Sequence, residues 1–148
     1  MNTDKNKAIV KRFYDEVWNQ CNLALADELF IPDYKVPNAP PWRKPGVEGL
    51  KAFITDNHRM FPDIHHQIED MVAEGDKVAV RFSGGGTHKG DLVGPVGLVP
   101  ATNKKVHWRG MNIFTFKNGK IIEANGLTDN MELMQQLGAV PSPYDSNK

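Results

Sequence analysis

The sequence holds one cysteine, Cys21, in 148 residues. That excludes an intramolecular disulfide framework and a cysteine-based zinc site. It has no charge surplus: eighteen Lys and Arg balance eighteen Asp and Glu. The balance leaves no electrostatic case for nucleic acid or an anionic membrane as the main partner. No apolar run approaches the ~20 residues that a membrane span needs. The first residues, MNTDKNKAIVKR, lack the apolar stretch of a signal peptide, and a cytoplasmic protein is expected. What is present is ordinary globular composition, 40% apolar and 24% charged. The length suits one domain with a real core. The whole chain, 1–148, is read as that domain, with its core over about 4–139 and a flexible tail over 140–148.

Periodicity divides the chain in two. Residues 4–20 read as a helix, with Ile9, Val10, Phe13, Tyr14 and Val17 on one side. NQCN breaks it, and 23–30 form a second, short helix ended by Ile31-Pro32. Residues 33–47 read as a short strand and a Pro-rich loop carrying Trp42, a residue that makes such a loop fold over something apolar. A third helix spans 47–61, with Asn57 interrupting its apolar stripe, and Pro62 ends it. The period then changes to two. Residues 64–74 and 77–84 form a hairpin through EGD. A long loop covers 84–105 and begins with three glycines, which predict a bulge or a bent strand. Those glycines lack the Lys-Ser/Thr of a phosphate-binding loop. A strand over 106–116, an Asn118-Gly119 turn, a strand through IIEANGLTD and a helix over 130–138 complete the chain. Helices followed by a bent antiparallel sheet predict an α+β fold, with helices on one sheet face and a cone-shaped cavity between them.

Candidate site residues follow from side-chain chemistry on the inward faces. Trp108, Asn112, Phe114 and Phe116 share one face of a strand, an apolar wall with one amide. Ile64, His66 and Ile68 share another, and His66 stands where an apolar residue is expected. Imidazole is the side chain that most easily exchanges a proton near neutral pH. His66 is therefore the candidate base, or else a buried histidine held by a hydrogen bond. Asn57 points inward on its helix and is grouped with His66 and Asn112. Tyr14 and Trp42 complete the candidate lining. On the last strand, counting by two puts Ile122, Ala124, Gly126 and Thr128 on one face, without acid or base. Asp129, three residues past Gly126, is a second catalytic candidate, or the N-cap of the last helix. His107 and Arg109 alternate with Trp108 and face outward. No His, Asp or Glu spacing indicates a metal site.

Taken together, FYDEVWNQCNLALADELF, EGLKAFITDNHRMFPD, EDMVAEGDKVAVRF with GTHKGDL, NIFTFKNGKIIE and MELMQQLGA resemble the SnoaL-like polyketide cyclase or ester cyclase branch of the nuclear transport factor 2-like superfamily. The resemblance covers roughly residues 6–139. It implies a cone-shaped α+β fold with an internal pocket, and a homodimer meeting through the outer sheet faces. It implies aldol ring closure without metal or cofactor on a small apolar, oxygenated molecule. Other members hydrolyse epoxides or isomerise skeletons. The family's acid–base pair, a His before the NG turn and an Asp after it, falls on Asn112 and Gly126. EANG replaces the frequent EHWD, and Val36-Pro37-Asn38-Ala39 replaces a DHNP-like pattern. The expectation is thus a cofactor-free cyclase or isomerase with His66 as base. The alternatives are a non-catalytic binding protein, an epoxide or ester hydrolase, and a structural dimer module whose cavity its own side chains fill.

Overall fold

The computed structural model describes residues 2–142; the tail expected to be flexible lies mostly outside the described residues. α1 (Thr3–Arg12) opens the chain, capped by the Asn2 side chain on the Lys5 N–H. The expected single helix over 4–20 changes character at Phe13. Residues Phe13–Trp18 form a π-helical segment, with the Asn19 N–H donating to the Tyr14 carbonyl at 3.1 Å. The i→i+5 ladder widens the turn. It lets Phe13, Tyr14, Val17 and Trp18 all be buried along a short segment. α2 (Leu23–Leu29) and α3 (Gly46–Met60) follow, separated by β1 (Phe30–Lys35) and the Pro-rich strap.

The sheet comprises β1, β2 (His65–Glu74), β3 (Lys77–Thr87), β6 (Lys105–Lys117) and β7 (Lys120–Thr128), in the order β1-β7-β6-β3-β2. It is curved and unclosed, with the N-terminal helices on its inner face, a mixed α+β architecture of nuclear transport factor 2-like type. The expected all-antiparallel sheet is corrected in one place: β1 lies parallel to β7. A parallel partner needs a long crossover, and everything from residue 36 to residue 119 supplies it. The expected loop over 84–105 is also corrected. β3 runs on to Thr87, and a two-stranded hairpin, β4 (Leu92–Gly94) and β5 (Gly97–Val99), fills the middle. Its base is zipped by His88. The His88 N–H donates to the Lys104 carbonyl, its own carbonyl accepts from Asn103, and Nδ1 accepts from the Thr102 N–H at 3.1 Å. That ring is fully buried, and burial lowers its pKa. α4 (Asn130–Gln136) ends in Gly138 at φ +77°, the left-handed conformation that glycine takes at no steric cost.

Two side-chain amides finish strands where the sheet leaves backbone groups unpaired. β2 is an edge strand, and there Asn19 accepts the His66 N–H at 2.7 Å and donates to its carbonyl at 2.8 Å. β6 outruns β7 at its start, and there Gln136 does the same for His107, at 2.9 and 2.7 Å. Such pairing satisfies groups that would otherwise stay open for another chain.

The parity expected for β7 holds from Ala124 onward and fails before it. Phe116 pairs with Ile121 but Thr115 pairs with Glu123, so a bulge lies at Ile122. The extra residue turns Ile121 into the core, fully buried, where simple alternation put Ile122.

Candidate functional site

The inner face of the sheet is built in cross-strand rows. One row is His66, Gly84 and Trp108, on β2, β3 and β6. The two ring-bearing positions lie two strand spacings apart, about 10 Å. Their rings meet because the middle position has no side chain. A Cβ on Gly84 would lie 2.4 Å from Trp108 Nε1 and 2.6 Å from His66 Cδ2. Over that gap the Trp108 indole N–H donates to His66 Nε2 at 3.1 Å. In the next row Phe82 leans over Gly110, where a Cβ would lie 2.7 Å from its Cζ. In the row after that, Asn112 faces Gly126. A Cβ there would lie 1.8 Å from Asn112 Oδ1 and 2.4 Å from the Met111 carbonyl oxygen. Asn112 and Gly126 are thus one steric unit: this amide orientation exists only opposite glycine.

His66 sits inside a box of rings. Trp18, Tyr14, Phe82 and Trp108 surround it at centroid distances of 4.6, 6.1, 5.6 and 5.8 Å. It is buried, and burial pushes its pKa down to about 3, helped by the nearby His65 and His58. The ring is neutral at physiological pH. Its Nδ1 has no partner.

Asn112 takes a different partner. Its Nδ2 donates to the Tyr14 hydroxyl oxygen at 2.8 Å. Burial pushes the Tyr14 pKa above its usual value, against the opposing effect of that hydrogen bond. Tyr14 is therefore a neutral phenol, buried and able to donate. Asn57 does not join either pair. Its Nδ2 donates to the Phe53 carbonyl one turn back, at 2.8 Å. The three polar groups read as one cluster from sequence are thus a Trp108–His66 pair, a Tyr14–Asn112 pair and a separate Asn57.

The other candidates are placed as follows. Phe114 is a core residue, in edge contact with Phe13 and Tyr14. Asp129 is exposed and caps α4, accepting the Glu132 N–H at 3.1 Å. Trp42 is 72% exposed at the tip of the strap of residues 36–45. The strap itself is pinned on both sides: Asn38 donates to the Gly126 carbonyl, and Arg43 donates to the Tyr34 hydroxyl at 3.1 Å while lying over Phe53. Phe53 in turn contacts Trp18, so the strap overlies the aromatic box. His107 and Arg109 face outward as expected, beside Glu132.

Two cavities stand out, and both open outside the cone. One of about 650 Å³ runs over Gly84, Gly85 and Gly86 between His65 and His107. The other, about 370 Å³, lies beside Lys35, Lys77, Thr115 and Glu123. The space around His66 that the sequence predicts as a cavity is packed by aromatic rings. Among the described residues no group of three or more His, Cys, Asp or Glu is placed to hold a metal. None of the described helices is long and apolar enough to cross a membrane.

Reading the sequence along its strands finds His66, Trp108 and Asn112 but misses Gly84, Asn19 and Trp18. Counting back from the Glu74–Lys77 pair puts Gly84 opposite Gln67. A bulge between Ile68 and Asp70 moves it to His66.

With the fold and these rows in place, the sequence matches the SnoaL-like polyketide cyclase family over residues 8–137. The chain belongs to that family. A comparison with curated protein sequences finds no match. Among solved structures, TsrD from Streptomyces laurentii superposes with a TM-score of 0.83 at 26% identity, covering 93% of this chain and 97% of that one. A protein of Bacillus cereus ATCC 10987 assigned as a polyketide cyclase gives 0.78 at 32%, covering 92% and 82%. A SnoaL-like protein of Jannaschia sp. CCS1 with the same assignment gives 0.79 at 26%, covering 94% and 95%.

Proposed function

We propose that this SnoaL-like protein is a cofactor-independent enzyme that binds an apolar, oxygenated molecule of polyketide or polycyclic class between helices and sheet, where the rings packed around His66 part to admit it, and promotes aldol cyclisation or isomerisation. The observation that carries this reading is the Tyr14–Asn112 pair within an aromatic wall. Asn112 donates to the Tyr14 oxygen, which leaves the phenol O–H to donate elsewhere. Donation onto an oxygen strengthens the hydrogen bond that its own O–H makes. A preorganised donor in an apolar setting stabilises an enolate oxygen more than it stabilises the parent carbonyl. Because burial holds the Tyr14 proton in place, the phenol binds the developing anion without protonating it.

The proton acceptor is the weaker half of the machinery. Asn112 and Gly126 do not titrate, and a His66 held near 3 is a feeble base. The substrate that fits is therefore one acidic in its own right, a 1,3-dicarbonyl carbon of a poly-β-carbonyl chain. Its proton is lost to solvent base, because His66 Nε2 already accepts from Trp108 and Asp129 is the exposed cap of α4. Incubation with a series of aryl poly-β-ketones, followed by product separation, tests this. Multiple turnovers to a cyclised or isomerised product support it. Stoichiometric binding without turnover identifies a carrier instead, the reading that the non-titrating Asn112–Gly126 row favours.

We further propose a cytoplasmic homodimer joined through the outer sheet face. Val72, Met111, Ile113 and Leu127 stand exposed there, apolar residues of the kind that a partner covers. Sedimentation of wild type against Met111→Glu tests it: wild type runs as a dimer and the variant as a monomer. A monomeric wild type refutes it.

A further inference from the structure

The Trp108–His66 pair assigns a proton. Indole nitrogen is a donor only, so the His66 Nε2 that it meets at 3.1 Å is an acceptor. The neutral imidazole then carries its one hydrogen on Nδ1. That edge of the ring lies opposite the Cδ2–Nε2 edge, which faces Gly84 and Trp108. The main chain of His66 is fixed as well, by the two bonds to the Asn19 amide. The outcome is a ring held at its backbone and at one nitrogen, with its remaining N–H buried and unpartnered. Buried donors left unpaired are uncommon and costly in folded proteins. The neighbours that could take this one, Tyr14, Trp18 and Phe82, offer ring faces and edges, and the Tyr14 oxygen already accepts from Asn112.

We propose that His66 is a fixed neutral hydrogen-bond donor, its Nδ1–H set by Trp108, that receives a carbonyl or enolate oxygen of the substrate. This rests on the reading of the interior as a substrate site, and it changes the role expected of His66 from base to substrate-binding donor. A second donor besides the Tyr14 hydroxyl suits a substrate with two oxygens, as a 1,3-dicarbonyl has. On the side of Trp18 and Phe53 the box is closed by the strap, whose Arg43 lies over Phe53. Gly84 is part of the same device, since any side chain there parts the two rings.

The test has a structural arm and a binding arm. Nitrogen-15 NMR of the imidazoles in the wild-type protein at pH 7 should show His66 as the Nδ1–H tautomer, and Trp108→Phe should bring in the Nε2–H form. An Nε2–H tautomer or an imidazolium in wild type overturns the proposal, whatever the enzyme does. The binding arm uses benzoylacetone, whose enolate absorbs apart from its neutral forms. His66→Asn keeps an amide N–H close to the Nδ1 position and should bind the probe near wild-type strength. His66→Leu removes the donor and should weaken binding about tenfold, the worth of one hydrogen bond to a charged oxygen. If wild type and both variants bind alike, the proposal fails while the interior remains a ligand site. If wild type does not bind at all, the substrate-site reading fails and the proposal falls with it.

Discussion

Gly84→Ala should unsettle the protein out of proportion to the one methyl group it adds. Gly84 does not need its freedom of backbone conformation; it is not among the glycines at positive φ. An alanine there loses less chain entropy on folding and on that count gains up to about 1 kcal/mol. Against it stand three contacts. The new Cβ would lie 2.4 and 2.9 Å from Trp108 atoms and 2.6 Å from His66 Cδ2, all inside van der Waals contact. Neither ring can retreat freely, because Phe61 packs on Trp108 at 5.0 Å and Trp18 on His66 at 4.6 Å. Overpacking of this kind costs about 1–3 kcal/mol, and parting the rings loses a hydrogen bond of about 1 kcal/mol. The net is a loss of about 1–3 kcal/mol. At about 2–4 °C per kcal/mol for a domain of this size, Tm should fall by about 2–12 °C. Urea titration followed by tryptophan fluorescence reads it well, since Trp18 and Trp108 are buried and Trp42 already sees water. The midpoint should drop with an unchanged slope. Adding His66→Ala should recover part of the loss, so that the double variant is less destabilised than the two singles together. A Gly84→Ala protein as stable as wild type would refute the packing argument.

Four further outcomes are expected. Gly126→Ala should cost about 1–3 kcal/mol in thermal melts, and Asn112→Ala should not fully rescue it, because the Met111 carbonyl oxygen also stands 2.4 Å from the added carbon. His66 has a folded pKa of about 3 against 6.5 unfolded, so the unfolded chain binds the extra proton between those values. Its contribution to stability is complete above pH 6.5 and is lost as pH falls toward 3; urea midpoints of His66→Leu should slope less over that range than those of wild type. Tyr14 has the opposite sign. Its raised folded pKa contributes stability below pH 10 that is lost as pH rises beyond it, and Tyr14→Phe should flatten the alkaline limb of a pH–stability curve. Asp129→Ala should lose about 1 kcal/mol with its cap, and hydrogen exchange should rise in the first turn of α4 while β7 stays protected.

Most elements were legible because their signals are local. The hairpin turn at Asn118 and Gly119 is one case, with φ of +52° and +80°; the helix stop at Gly138 and the alternation along β6 are others. The features that resisted reading depend on residues far away in sequence. β1 shows nothing along its six residues that names β7 as a parallel neighbour. Asn19 reads as a helix breaker until the edge of β2 lies beside it. Gly84 reads as a bend, and its purpose is clearance for rings supplied by two other strands. The single-residue bulges near Glu69 and Ile122 each shift a register by one, enough to move Gly84 from Gln67 to His66 and Ile121 into the core. The residue types at the site were readable for the same reason as the strands. The pairs they form were not, because a partner such as Tyr14 for Asn112 is 98 residues away.

The parallel pairing of β1 with β7 also sets a schedule. Phe30 finds its partner at Ile121, so this edge of the sheet cannot form until four-fifths of the chain has been made. Closing so large a loop is entropically slow, and contacts that distant in sequence slow folding generally. On the ribosome, the first two helices and β1 emerge with apolar faces and nothing to rest them on. β2, β3 and β6 can pair among themselves as they appear, each with a neighbour already available. The inner wall is thus assembled before β1 is locked beside it by β7, and this edge of the sheet is the last to close.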